Sequence, residues 1–167
     1  MSGKKRRILA LLFAAVLVPV AVFAFSGPAS AAVVGTLSIK TYGSEACVGE
    51  NSSNTIRIDL SPCTGTSFQR WFTTRVADGS YQFQNTNDSR CLFDYFGSAI
   101  TVGGLSCDPA AAADSWQNIA PPASFVVLRN EFTGNCMSHG VSNRTGTLAM
   151  PVACNVNDIG QRWNLRS

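Results

Sequence analysis

The chain has 167 residues, with 13 lysines and arginines against 10 aspartates and glutamates, for a formal charge of +3 at pH 7. Four of the basic residues, Lys4 to Arg7, stand together at the start, so residues 32–167 hold nine basic and ten acidic side chains. That balance excludes the basic face of a domain built for nucleic acid or an anionic membrane, and the length suits one domain with a real core.

Taken in chain order, the first predicted element is not part of the fold. The basic cluster is followed by an apolar run from Ile8 to Phe25 and by Ala29-Ser30-Ala31. This order of basic, apolar and small-x-small segments predicts a secretory signal peptide over residues 1–31. The run is long enough for a membrane anchor, but Pro19 interrupts it. Arg6-Arg7 raises the twin-arginine export route, for which the flanking residues are only partly right. Lys40 is the only lysine beyond the leader, against eight arginines. We read the source as a high-GC Gram-positive bacterium, the location as extracellular, and no membrane insertion once the leader is removed. All six cysteines lie in residues 32–167, and an even number in an exported chain predicts disulfides.

Next come short strands and turns. "GTLSIKTY" and "NTIRIDLS" alternate apolar and polar residues, the period of a half-buried strand. "ADGS", "NDSR", "FTGN" and "SNRTGT" are turn clusters. "DPAAAADSW" is the best helical candidate and is read as a loop with at most one turn. "ASFVVLRN" is a short β-branched run.

The cysteines fall at 47, 63, 91, 107, 136 and 154, and taken as successive pairs their separations are 16, 16 and 18. Trp71, Trp116 and Trp163 follow the second members by 8, 9 and 9 residues. Ile39, Phe83 and Leu128 stand eight before the first members, and Thr41, Asn85 and Asn130 six before. This register predicts three repeats of about 45 residues, near 36–80, 81–124 and 125–167, each with about four short strands. Four strands alone would leave open edges and an uncovered apolar face. Three copies about one axis form an all-β domain of about twelve strands, with the tryptophans at equivalent core positions. Of the 15 pairings open to six cysteines, symmetry favours Cys47–Cys63, Cys91–Cys107 and Cys136–Cys154.

Gln69-Arg70-Trp71 and Gln161-Arg162-Trp163, placed after cysteine pairs, resemble the repeat signature of the ricin B-chain-like (R-type) β-trefoil lectins. The resemblance spans residues 32–167. The middle copy departs from it, with Asp114-Ser115-Trp116. In that family Gln-x-Trp marks the fold: the indole fills the core and the amide braces backbone. The resemblance also implies a shallow sugar dish in each repeat. Its parts are a carboxylate two residues after the first cysteine, a polar residue and an aromatic four and two before the second, and an Asn before the Gln. Here those places hold Gly49, Asp59, Ser61 and Phe68; then Phe93, Gly103, Leu105 and Ala113; then Ser138, Met150, Val152 and Gly160. No copy has the full set.

The candidate carbohydrate-binding residues are therefore Asp94 with Tyr95, where a one-residue shift restores an acceptor beside aromatic rings; Asp59 in the first copy; and Ser138, His139 and Asn143 in the third. Each has a plainer alternative: Asp94 as a turn residue between core Phe93 and Phe96, Asp59 as a solvent-facing strand residue, and the third set as a solvated loop. Catalysis is not expected. His139 is the only histidine, no nucleophile elbow is present, and the carboxylates are scattered singly. With the cysteines committed to disulfides, neither a metal nor a cofactor is expected. The reading is a secreted, monomeric, lectin-like module that engages a glycan or glycoconjugate without catalysis. The alternative is a protein-interaction subunit, a cell-binding toxin partner or protease-inhibitor-like trefoil, without sugar binding.

Overall fold

The computed structural model describes residues 32–167 except 52–53, 105–106, 122–123 and 141–147, so the leader and Asn143 lie outside the described residues. Twelve strands follow one another: β1 (Ala32–Thr41), β2 (Ala46–Asn51), β3 (Asn54–Pro62), β4 (Trp71–Arg75), β5 (Tyr81–Asn85), β6 (Cys91–Asp94), β7 (Ile100–Gly103), β8 (Trp116–Asn118), β9 (Leu128–Asn130), β10 (Cys136–Ser138), β11 (Met150–Val152) and β12 (Trp163–Arg166). Four fall in each predicted repeat. "DPAAAADSW" contains one 3-10 turn, Ala112–Asp114, matched by Ser67–Gln69 and Ile159–Gln161 before the other two tryptophans.

Six strands close a ring. β1 pairs with β4, β4 with β5, β5 with β8 and β8 with β9; a bridge from Val126 to Trp163 leads to β12, and β12 returns to β1. The other six form three hairpins, β2–β3, β6–β7 and β10–β11, which meet through Arg57↔Thr101 and Asp59↔Leu148. The result is a β-trefoil.

The tryptophans set its threefold order. Trp71 lies opposite Leu37 and Asn85, Trp116 opposite Tyr81 and Asn130, and Trp163 opposite Val126 and Thr41. All three are fully buried, among Ile39, Val48, Leu60, Phe83, Leu92 and Leu128. A buried indole N–H needs an acceptor. Nε1 of Trp71, Trp116 and Trp163 donates to the carbonyls of Val48, Leu92 and Met137 at 3.1, 3.0 and 3.0 Å. Each acceptor is the residue after the first cysteine of that repeat, so each ring ties a barrel strand to its own hairpin.

The glutamines act on the second cysteine. Gln69 Nε2 donates to the Pro62 carbonyl at 2.8 Å, and its Oε1 accepts from the Thr64 N–H at 2.7 Å. Gln161 spans Ala153 and Asn155 in the same way, at 3.0 and 2.8 Å. The amide thus holds the backbone on both sides of Cys63 and of Cys154. Asp114 is one methylene shorter and, among the described residues, reaches the Asp108 N–H at 3.3 Å. The disulfides join Cys47–Cys63, Cys91–Cys107 and Cys136–Cys154, with Cα separations of 5.0, 5.3 and 4.9 Å, the pairing that symmetry favours.

Repeats are also stitched to one another. The Asn85 and Asn130 carboxamides donate to the carbonyls of Phe68 and Ala113 in the preceding repeat, at 2.9 and 2.8 Å. The next backbone N–H does likewise: Thr86 to Arg70, Glu131 to Ser115 and Tyr42 to Arg162, all at 3.0 Å.

Candidate functional site

The hairpins carry every candidate among the described residues, and the threefold order keeps the three sets apart. The structure brings Asp94 and Tyr95 together on one hairpin and Ser138 and His139 on another, while Asp59 stands alone on the first.

In the second repeat the dish is filled. Phe93, at the carboxylate place, lays its ring over Gly103, at the polar place. A Cβ on Gly103 would fall 2.5 Å from the ring, so only glycine admits this contact. Asp94 is 1% exposed. Its Oδ1 accepts from the Gly97 N–H at 2.8 Å, and its Oδ2 accepts from the Thr133 hydroxyl of the third repeat. Both oxygens thus hold the hairpin turn. The expectation that Phe96 packs in the core is overturned, because Phe96 is 71% exposed.

In the third repeat the solvated-loop alternative fails for Ser138 and His139, while Asn143 lies outside the described residues. Ser138 and His139 are buried. Ser138 Oγ donates to the Gly160 carbonyl at 3.1 Å, which also accepts the His139 N–H at 2.8 Å. The His139 ring stands edge-on to Trp163 at 5.1 Å. Neither ring nitrogen makes a well-formed hydrogen bond among the described residues, and burial holds the imidazole pKa below its ordinary value, against weaker backbone contacts with Gly140 and Ile159.

The first repeat keeps an open cleft of about 410 Å³, whose lining includes Glu50, Asn51, Asp59, Ser61, Phe68 and Gln69. Gly49 lets Gln69 pack close along one wall, since a Cβ on Gly49 would meet Gln69 Cγ at 3.0 Å. Asp59 Oδ2 accepts from Asn51 Nδ2 at 2.8 Å, and Ser61 Oγ accepts from Gln69 Nε2 at 2.6 Å. Burial raises the Asp59 pKa, against the Asn51 hydrogen bond that lowers it. Together these residues offer a carboxylate, a carboxamide and a hydroxyl beside a half-buried phenyl ring.

Sequence reasoning passed over Glu50. The register held the signal, since the residue three after each first cysteine is Glu50, Asp94 or His139. All three are buried. Neither Glu50 oxygen makes a well-formed hydrogen bond among the described residues, and Arg90 Nη1 lies 3.9 Å away. Burial first, then the neighbouring Asp88 carboxylate, raises its pKa to about 7, with Arg90 opposing. Between about pH 4.5, the ordinary value, and about 7, the folded state therefore binds the extra proton. Stability falls as pH rises through that window and the contribution is lost above it. Glu50→Gln is expected to flatten the profile and to be the more stable form at pH 8. The gain should be on the order of 1 kcal/mol once solvent screening near Arg90 is allowed for. Thermal melts of both proteins from pH 4 to 8 check this, and parallel profiles would rule it out.

Among the described residues no group of three or more His, Cys, Asp or Glu is placed to hold a metal ion, and no helix is long and apolar enough to cross a membrane.

No curated protein matches the chain by sequence. Solved structures do match by fold. A designed threefold-symmetric protein, ThreeFoil, is 14% identical with a TM-score of 0.69, covering 80% of this chain and 99% of its own. The cytolethal distending toxin of Haemophilus ducreyi is 14% identical with a TM-score of 0.66, covering 79% and 83%. The Macrolepiota procera ricin B-like lectin, solved with lactose, is 13% identical with a TM-score of 0.64, covering 78% and 94%. The family model of the ricin-type β-trefoil lectin domain matches residues 35–164. With the tryptophan, glutamine and cysteine register described above, this match shows that the chain belongs to the ricin-type β-trefoil lectin domain family.

Proposed function

We propose that the protein is a secreted, non-catalytic lectin-like module that binds a glycan or glycoconjugate, with the first-repeat cleft as its main site. Residues 1–31 direct export, and the domain from residue 32 acts as a single chain outside the cell. The observation that carries the reading is the cleft itself, where Asp59, Asn51 and Ser61 stand beside Phe68. A carboxylate next to a carboxamide suits the paired donors and acceptors of vicinal sugar hydroxyls, and the ring suits the apolar face of a pyranose. Asp59 meets the ligand, Asp94 holds its own turn, and Ser138 and His139 support the third hairpin.

A glycan array probed with the mature protein tests this. Asp59→Asn, which removes the charge and keeps the shape, is expected to weaken binding of the best glycan at least about tenfold, as for loss of a charge-assisted hydrogen bond. Asp94→Ala is expected to bind less tightly only as far as the turn loosens. Undiminished binding by Asp59→Asn rejects the cleft. A blank array moves the reading to a protein-interaction subunit.

A further inference from the structure

A second feature of the surface lies apart from that cleft. Tyr95, Phe96 and Phe132 are 52, 71 and 56% exposed. Their ring centroids follow at 5.1 Å from Tyr95 to Phe96 and 5.8 Å from Phe96 to Phe132, each pair edge to face, and Phe93 stands 6.0 Å behind Tyr95. The row crosses from the second repeat to the third. Contiguous exposed rings mark interaction sites.

Phe96 is held where chain physics would not put it. Its φ is +52°, a left-handed conformation unfavourable to a bulky residue and natural to Gly or Asn. It is the most exposed large apolar residue of the domain among those described. Strain and exposure meet in one side chain, and the turn around it is hydrogen-bonded on several sides. Tyr95 N–H donates to the Ala99 carbonyl at 2.8 Å, Ser98 Oγ donates to the Tyr95 carbonyl at 2.6 Å, and Asp94 joins the turn to Thr133. The rings are thus preorganised, which lowers the cost of ordering them on a ligand.

The surrounding groups define the ligand. The turns 95–99 and 132–135 contain no Lys, Arg, Asp or Glu. Asp94 is buried with both oxygens engaged. Two polar groups remain without a hydrogen-bond partner among the described residues, the Tyr95 hydroxyl and the Asn135 carboxamide. The carboxamide lies against Gly97, where a Cβ would come within 2.9 Å of its Nδ2. Apolar rings, one hydroxyl and one amide, on turns that carry no charge of their own, match a neutral pyranose that offers a C–H face and adjacent hydroxyls.

We propose that Tyr95, Phe96, Phe132 and Asn135 form a second carbohydrate site, shared between the second and third repeats, that takes a neutral pyranose by ring stacking. It rests on the reading that the domain binds carbohydrate, but it uses none of the cleft residues.

The test is an NMR titration of the mature protein with lactose, cellobiose and chitobiose, following the aromatic signals of Tyr95, Phe96 and Phe132 and the side-chain signals of Asn51 and Phe68. At least one sugar is expected to shift the exposed ring signals, in the wild type and in Asp59→Asn alike. Phe96→Gly should weaken that event at least tenfold while raising or preserving the melting temperature, because it relieves the backbone. A merely structural ring would instead lower the melting temperature. Phe132→Ala should also weaken it. If a sugar shifts the cleft signals and never the rings, the shared site is overturned and the first-repeat reading stands. If no sugar moves either set, both fail. A concentration-dependent dimer that Phe96→Gly dissolves would assign the rings to a second copy of the chain and also overturn the proposal.

Discussion

Trp163→Ala is expected to destabilise the domain by about 3–5 kcal/mol, the range for deleting a large buried aromatic. The indole is fully buried. It lies between Thr41 of β1 and Val126, so it stands where the last strand closes the ring. Its loss removes the wall against which His139 packs at 5.1 Å and leaves the Met137 carbonyl without its 3.0 Å donor. Domains of this size are stable by about 5–15 kcal/mol, so the change consumes a large part of the total. Trp163→Phe keeps most of the apolar area and loses the N–H, and it should cost about 1–3 kcal/mol, mainly for the orphaned acceptor. Urea titrations followed by circular dichroism measure both. A loss below 1 kcal/mol for the alanine variant would mean that the ring is not a shared support of barrel and hairpin.

Removing one disulfide should cost nearly as much. The three closed loops have separations of 16, 16 and 18 residues, and loops of that length are worth about 3 kcal/mol in the chain-entropy account. Because loop length enters only logarithmically, the three paired Cys→Ser variants should lose similar amounts. The pairs differ in what else holds the backbone. Gln69 and Gln161 clamp both neighbours of Cys63 and Cys154, whereas among the described residues Asp114 holds Asp108 on one side. The second repeat should therefore lose local order most on reduction, seen as the fastest amide exchange near Asp108. Equal exchange in all three reduced repeats would show that the glutamine clamps add nothing to the bridges.

The architecture was legible because it rests on features that sequence carries directly. Tryptophans, cysteines and the apolar residues eight positions before them recur at one period, and each has a single reasonable place in a closed β-domain. The site was less legible, for reasons of geometry. Asp94 looks like a displaced sugar ligand in one dimension. Whether its oxygens are spoken for depends on Thr133, 39 positions away in another repeat. Phe93 and Phe96 read alike as core, yet one covers Gly103 while the other projects from a left-handed turn. Glu50 was hidden because the expected carboxylate place is Gly49, one residue earlier. Asp59 reads in the sequence as one polar residue of a strand, while the cleft beside it also needs Phe68 and Gln69 from a separate element.

The pairing of β1 with β12 has a consequence for biogenesis. β1 contributes Ser38 to Thr41 to one neighbour and Ala32 to Leu37 to the other, so its second edge stays bare until Trp163–Arg166 is delivered. A chain synthesised N-terminus first therefore has its opening strand waiting for its closing one. The first repeat therefore completes its pairing only with the third, and removing the last five residues is expected to destabilise the whole domain, seen as loss of its cooperative urea transition.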